Sequence, residues 1–150
     1  MSSPSNAGRS SSTIEDTAVL LARIALGYIF VQSGFGKLMA LGAFAASLAG
    51  RGIPGAEMWA LIGAVVEFAG GIMIVTGFKM RYTSLLMILF MIVATGISHR
   101  YWEIADAAAR RAQESQFLKN LAITGGFLLL YVTGSGRFGL DALFRRRSNR

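Results

Sequence analysis

Residues 57–78 read EMWALIGAVVEFAGGIMIVTGF. The run carries no proline, and after Glu57 its one charged residue is Glu67. At a rise of about 1.5 Å per residue it makes a helix of about 33 Å, which matches a bilayer hydrocarbon core of about 30 Å. The stretch therefore reads as a membrane span with an acid near its middle.

Three further apolar runs flank it: Thr17–Leu41, Tyr82–Ser98 and Leu118–Val132. The last is short for a span unless it borrows from its ends. Gly42–Ala56 reads as a loop, because Gly50, Gly52, Pro54 and Gly55 are breakers. Lys79–Arg81 reads as a tight basic turn. The polar stretch His99–Phe117 contains AAARRAQES, a good helix former, which predicts a short interfacial helix. Residues 1–16 are Ser-rich and polar and predict a disordered tail. They carry one basic residue, and the apolar run behind them is too long for a cleavable signal. Residues 142–150 form a basic tail. The expected fold class is all-α, a four-transmembrane-helix bundle with both termini cytoplasmic.

Composition agrees with that reading. Of 150 residues, 53% are hydrophobic and 15% charged, against about 25% charged in soluble domains. A soluble enzyme, a disordered chain and a collagen-like repeat are excluded. The absence of cysteine excludes disulfides, thiol chemistry and Cys-ligated metal centres. The net charge of +7 does not point to nucleic acid, because the aromatics lie inside the apolar runs rather than on a basic face. With four spans, Arg9, Lys79, Arg81, Arg137, Arg145, Arg146, Arg147 and Arg150 fall on one side. Arg51, Arg100, Arg110 and Arg111 fall on the other. That asymmetry puts both termini inside. Trp59, Tyr101 and Trp102 then mark the outer interface. A faint echo links Gly70-Gly71, Gly77 and Arg81 to Gly125-Gly126, Gly134 and Arg137, as a duplicated helix pair or as recurring turn signals.

Lipid gives helices no hydrophobic reason to associate, so small residues that permit close packing matter. Gly27 and Gly34 share a face of the first span with Arg23, Phe30 and Lys37. Gly63, Gly70 and Gly71 share one with Glu67, and Gly126 lies on the stripe of the fourth span with Lys119. These glycines are the expected helix-packing positions.

A charge at the depth of Glu67 costs about 2.5–3.5 kcal/mol on insertion scales, so it is protonated, paired or hydrated. Lys37 and Arg23 compete as its partner. Glu67 serves either as a buried packing and pairing residue or as a proton-handling group. His99, the lone histidine, is the other candidate catalytic group, because histidine is the residue type best suited to proton transfer near neutral pH. Lys37, Gln116, Lys119 and Asn120 are candidate ligand-binding groups; with His99 and Glu67 they sketch a polar vestibule toward the outer leaflet. A single histidine without cysteine predicts no metal site. Gly34-Phe35-Gly36 lacks the preceding strand of a dinucleotide motif. Met87 and Met91 read as packing residues.

The order and spacing of these residues resemble the DoxX family of small bacterial membrane proteins. The matching residues are Arg23-x-x-Leu26-Gly27, Phe30-x-x-Ser33-Gly34-x-x-Lys37, Gly52-x-Pro54, Glu67-x-x-Gly70-Gly71, Gly77, His99 and Gln116-x-x-Lys119-Asn120. The resemblance covers about residues 17–141 and implies a four-helix domain in the bacterial inner (plasma) membrane. It also implies association with an oxidoreductase system, since relatives include a subunit that passes electrons from thiosulfate to quinone and others linked to redox partners.

Two functions stand open on the sequence. The first is a quinone-facing oxidoreductase subunit, with Lys, His and Asn donors for quinone oxygens and Glu67 for the coupled proton. Quinone is then the candidate cofactor; haem, flavin and metal motifs are absent. The second is a non-catalytic module that recruits a partner protein or handles a small solute. The expected partners are the lipid bilayer, a redox protein and further copies of the chain.

Overall fold

The structure is a computed structural model describing residues 7–148, with side chains from 13 to 147. The described residues form six α-helices and no strand: α1 (Ala7–Met39), α2 (Leu41–Ala49), α3 (Ala56–Thr76), α4 (Met80–Ser98), α5 (Ala107–Thr133) and α6 (Leu140–Ser148). A short 3-10 turn, Tyr101–Glu103, precedes α5. Among the described residues, three segments are long and apolar enough to cross a membrane: Thr13–Met39, Ala56–Thr76 and Met80–Glu103.

The helices depart from the sequence expectations in four places. The polar segment expected to be disordered through residue 16 is helical from Ala7; residues 1–6 lie outside the described residues. Asp16 is anchored by accepting from the backbone N of Arg137 at 2.8 Å, which ties this turn to the far end of the chain. The expected loop over 42–56 is half helix. LGAFAASLA is rich in alanine and leucine, and one Gly42 costs only about 1 kcal/mol. The chain breaks at Gly52 and Gly55 instead, where φ is +77° and +65°. The expected interfacial helix is not separate, because nothing between Ala107 and Thr133 stops it from running on into the fourth apolar block. Asp106 caps this long helix by accepting from the backbone N of Ala109 at 2.8 Å. The basic tail expected over 142–150 is helical through Ser148.

α1 packs chiefly on α3 and α4 on α5. Side chains from all four meet in a core of Phe30, Ile74, Met87, Met91, Ile123 and Phe127. Phe30 stacks at a tilt on Phe127, with ring centroids 5.3 Å apart. A second, smaller cluster joins Ala45 and Leu48 of α2 to Ala60 of α3. The other faces carry leucines and isoleucines outward, such as Leu21, Leu61, Leu89 and Ile92. Apolar cover on that scale suits lipid rather than water.

The α1–α3 seam is a backbone contact. A Cβ on Gly27 would lie 2.8 Å from the carbonyl oxygen of Gly71, and one on Gly71 would lie 2.7 Å from the backbone N of Val31. Gly126 faces Leu26 of α1, and Gly70 faces the sulfur of Met87. Arg23 fastens one end of the bundle. It is 1% exposed. Its guanidinium donates to the carbonyls of Ile74 at 3.2 Å, Val75 at 2.7 Å and Ser135. Those oxygens sit in the last turn of α3 and just past α5, where carbonyls run short of helix partners; Ile74 also accepts from the backbone N of Gly77 at 3.2 Å. α3 closes on Gly77 at φ +71°, a conformation that favours glycine, and a Cβ there would also lie 2.8 Å from the Arg23 guanidinium carbon.

Candidate functional site

Lys37 occupies the last turn of α1, where the negative end of the helix dipole favours a cation. Its ammonium donates to the carboxylate of Glu67, midway along α3, and to the Ser33 hydroxyl one turn back at 3.3 Å. It also stands 5.2 Å from the ring centre of Phe44 on α2. Glu67 is buried, with 6% of its side chain exposed, against 32% for Lys37. Gly34 makes this meeting possible. A Cβ on it would lie 2.5 Å from the backbone N of Phe68, the neighbour of Glu67. The same close approach that seals the seam therefore brings the pair together.

Lys37 also borders a cavity of about 350 Å³ between α2, α3 and α4. Phe44 and Leu48 wall it from α2, Trp59 and Gly63 from α3, and Phe90 and Ala94 from α4. Ile53 joins from the glycine-rich turn. Arg51 of that turn donates to the carbonyl of Ser98 at 3.0 Å, tying the turn to the end of α4. Lys37 is the one ionisable lining group among the described residues. The site is thus an apolar chamber with a single cationic donor, itself balanced by a buried carboxylate. Such a chamber suits a flat apolar molecule with one or two acceptor oxygens.

The vestibule sketched from the sequence contracts accordingly. His99 bonds through Nδ1 to the side chain of Gln113 on α5 at 2.8 Å. Asn120 donates to the Thr95 hydroxyl at 3.0 Å. Lys119 donates to Gln116 on the outward face of α5. None of His99, Gln116, Lys119 and Asn120 lines the cavity. The reason lies in the helix rotation. Phe90, Ala94 and Ile97 line the cavity, while Thr95, well over 100° from their mean direction, bonds to Asn120 of α5, and His99, just past the end of α4, bonds to Gln113 of α5. Arg23, the rival partner for Glu67, is instead committed to carbonyls at the other end. Gly63, expected to pack helices, instead lines the cavity, and a Cβ added there would lie 3.7 Å from the Phe44 ring. The walls of α2 were missed by sequence reasoning. Their signal was present in the spacing of Leu41, Ala45 and Leu48 (i, i+4, i+7), which puts one face of a short helix against α3.

The family model DoxX matches residues 18–100 of the chain. The inner membrane protein YqjF of Escherichia coli (strain K12) is 33% identical over 134 residues, covering 89% of this chain and 97% of its own length. The inner membrane protein YphA of the same organism is 37% identical over 123 residues, covering 82% and 87%. A Surfeit locus protein 4 homolog of Schizosaccharomyces pombe is 33% identical over 70 residues, 46% of this chain and 23% of that protein. No solved structure matches the chain.

Proposed function

The chain belongs to the DoxX family and is a multi-pass protein of the bacterial inner membrane, and on that premise we propose that it is a quinone-facing membrane subunit of an oxidoreductase system. The observation that carries the reading is the apolar cavity with Lys37 at its edge and Glu67 directly behind. An apolar quinone ring fits between Phe44, Trp59 and Phe90, and a ring oxygen accepts from the Lys37 ammonium. The partner enzyme supplies the electrons. This chain binds and orients the ring, and the Lys37–Glu67 pair holds a proton beside the oxygen that gains charge. The lipid-facing position of the cavity walls suits a substrate that arrives through the bilayer.

The proposal includes α5 as a fourth span, with both termini cytoplasmic. α5 is about 40 Å long at 1.5 Å per residue, and it presents Leu118, Leu121, Leu128 and Leu129 outward. Its first half holds Arg110, Arg111 and Glu114, which reach the outer interface in this arrangement.

Trp59 gives the test, because it lines the cavity. The Trp102→Phe protein in lipid nanodiscs is titrated with a short-chain quinone and Trp59 fluorescence is followed. Saturable quenching that is lost in Gly63→Leu, which fills the cavity, supports the site. Linear quenching of equal slope in both proteins removes it.

A further inference from the structure

A second cleft, of about 570 Å³, lies at the opposite end of the bundle from the turn that holds Ile53. It forms where α3 hands over to α4, where α5 ends, and where α6 folds back. Three cations line it: Lys79, Arg81 and Arg145. None of them has a carboxylate partner among the described residues, whose ion pairs are Lys37–Glu67, Arg100–Glu103 and Arg137–Asp16. One acid, Asp141, shares the cleft. Both of its oxygens are spent on the backbone, accepting from the N of Lys79 at 2.7 Å and of Met80 at 2.8 Å. Asp141 thus orders the turn that carries the cations. Lys79 is held there at φ +45°, the one described residue other than glycine in the left-handed region.

The apolar surroundings continue the pattern. Tyr82 and Phe144 line the same cleft and are 78% and 52% exposed. Leu140, Leu143 and Phe144 fall on one face of α6, while Arg145, Arg146 and Arg147 follow at its end. The cleft sits where α3 and α5 end and α4 begins, which is the headgroup level of a bilayer spanned by those helices.

From this juxtaposition we infer that the cleft binds the phosphate of an anionic phospholipid, with Lys79, Arg81 and Arg145 around the phosphate and the acyl chains running over Tyr82 and Phe144. Unpaired cations at a membrane end gain by pairing with anionic headgroups, and basic clefts between helices recognise such lipids. The inference is independent of the quinone reading.

The test uses the full chain in a neutral detergent, with native mass spectrometry counting bound lipid. Phosphatidylglycerol is expected to form a one-to-one adduct that phosphatidylcholine does not match. The triple variant Lys79→Gly, Arg81→Gln, Arg145→Gln is expected to lose at least tenfold in bound lipid. Arg110→Gln with Arg111→Gln, at the other end, is expected to keep the adduct. Lys79→Gly alone separates folding from binding, since glycine accepts the left-handed backbone and should hold or raise the unfolding temperature while lipid is lost. Equal lipid loss in the α5 variant reduces the effect to general charge and overturns the site. Displacement of the lipid by millimolar inorganic phosphate marks a free-anion site and overturns it as well.

Discussion

Lys37 and Glu67 meet across the α1–α3 seam although thirty positions separate them, and the lysine side chain is more exposed than that of the glutamate it neutralises. That asymmetry orders the cost of breaking the pair. Glu67→Ala leaves an ammonium that still reaches the cavity. Lys37→Ala leaves a carboxylate that is 6% exposed, and so costs more. Losing one partner of a buried pair costs about 3–5 kcal/mol, and replacing both by apolar groups is often near neutral. Lys37→Ala is therefore expected to lower stability by about 3 kcal/mol or more. Glu67→Ala is expected to lower it less, and the double variant Lys37→Met, Glu67→Leu to recover most of the loss. Chemical unfolding in detergent micelles gives the order. A double variant no better than Lys37→Ala would mean that the pair is not the source of the cost.

The glycines sort by what stands in front of them. Gly34 faces the α3 backbone, whereas Gly36, on the same helix, has nothing within 4 Å of an added Cβ. Gly36→Ala should gain up to about 1 kcal/mol from helix propensity alone. Gly34→Ala must push α1 off α3 and should lose about 1–3 kcal/mol, as overpacked cores do. The seam also positions Glu67, so Gly34→Ala should weaken quinone quenching of Trp59 while Gly36→Ala leaves it intact. Thermal unfolding and the same titration on both variants decide it.

Depth along a helix is legible by counting residues, and rotation about its axis is much less so. Counting from the span ends puts Lys37 within reach of Glu67, and Gly27 and Gly34, seven apart on one face of the first span, mark the seam in the sequence itself. His99, Lys119 and Asn120 have the right depth for a shared vestibule, yet they turn toward or along α5, because which face of α4 meets which helix is settled by packing. The cavity was illegible for a related reason. It depends on α2, and glycines at 42, 50, 52 and 55 mask a helix whose alanines and leucines outweigh the first of them. Arg23 looked like a candidate partner for an acid, since nothing in a sequence shows which helix ends lack hydrogen-bond donors.

Arg23 supports a third prediction. Its fork satisfies three carbonyls that belong to two different chain segments. Lysine carries the same charge, but its three N–H donors leave from one nitrogen and cannot span that geometry. Arg23→Lys should therefore cost about 1–3 kcal/mol, the price of leaving buried acceptors unmade. Because Ser135 is one of the acceptors, the loosened end should be α5 and α6 as well as α3. Hydrogen exchange should rise at Gly77 and around 134–143, with the Trp59 region unchanged. Uniform protection across both ends would show that the guanidinium is replaceable.

The last prediction separates binding from proton handling within the candidate site. Lys37 touches the cavity and Glu67 does not. Glu67→Gln keeps a hydrogen-bond acceptor of the same shape behind the ammonium but removes the charge and the titrating group. Quinone affinity, read from Trp59, should change by no more than about threefold, since less than 1 kcal/mol of binding is at stake. Turnover with the partner enzyme should instead fall by about 10²–10⁴, the usual worth of a positioned proton-transfer group. Lys37→Gln removes the cation that meets the quinone oxygen, so there the affinity falls first. A Glu67→Gln protein that binds and turns over normally would leave Glu67 as a counter-charge that holds Lys37 in place, and the proton would have to come from elsewhere.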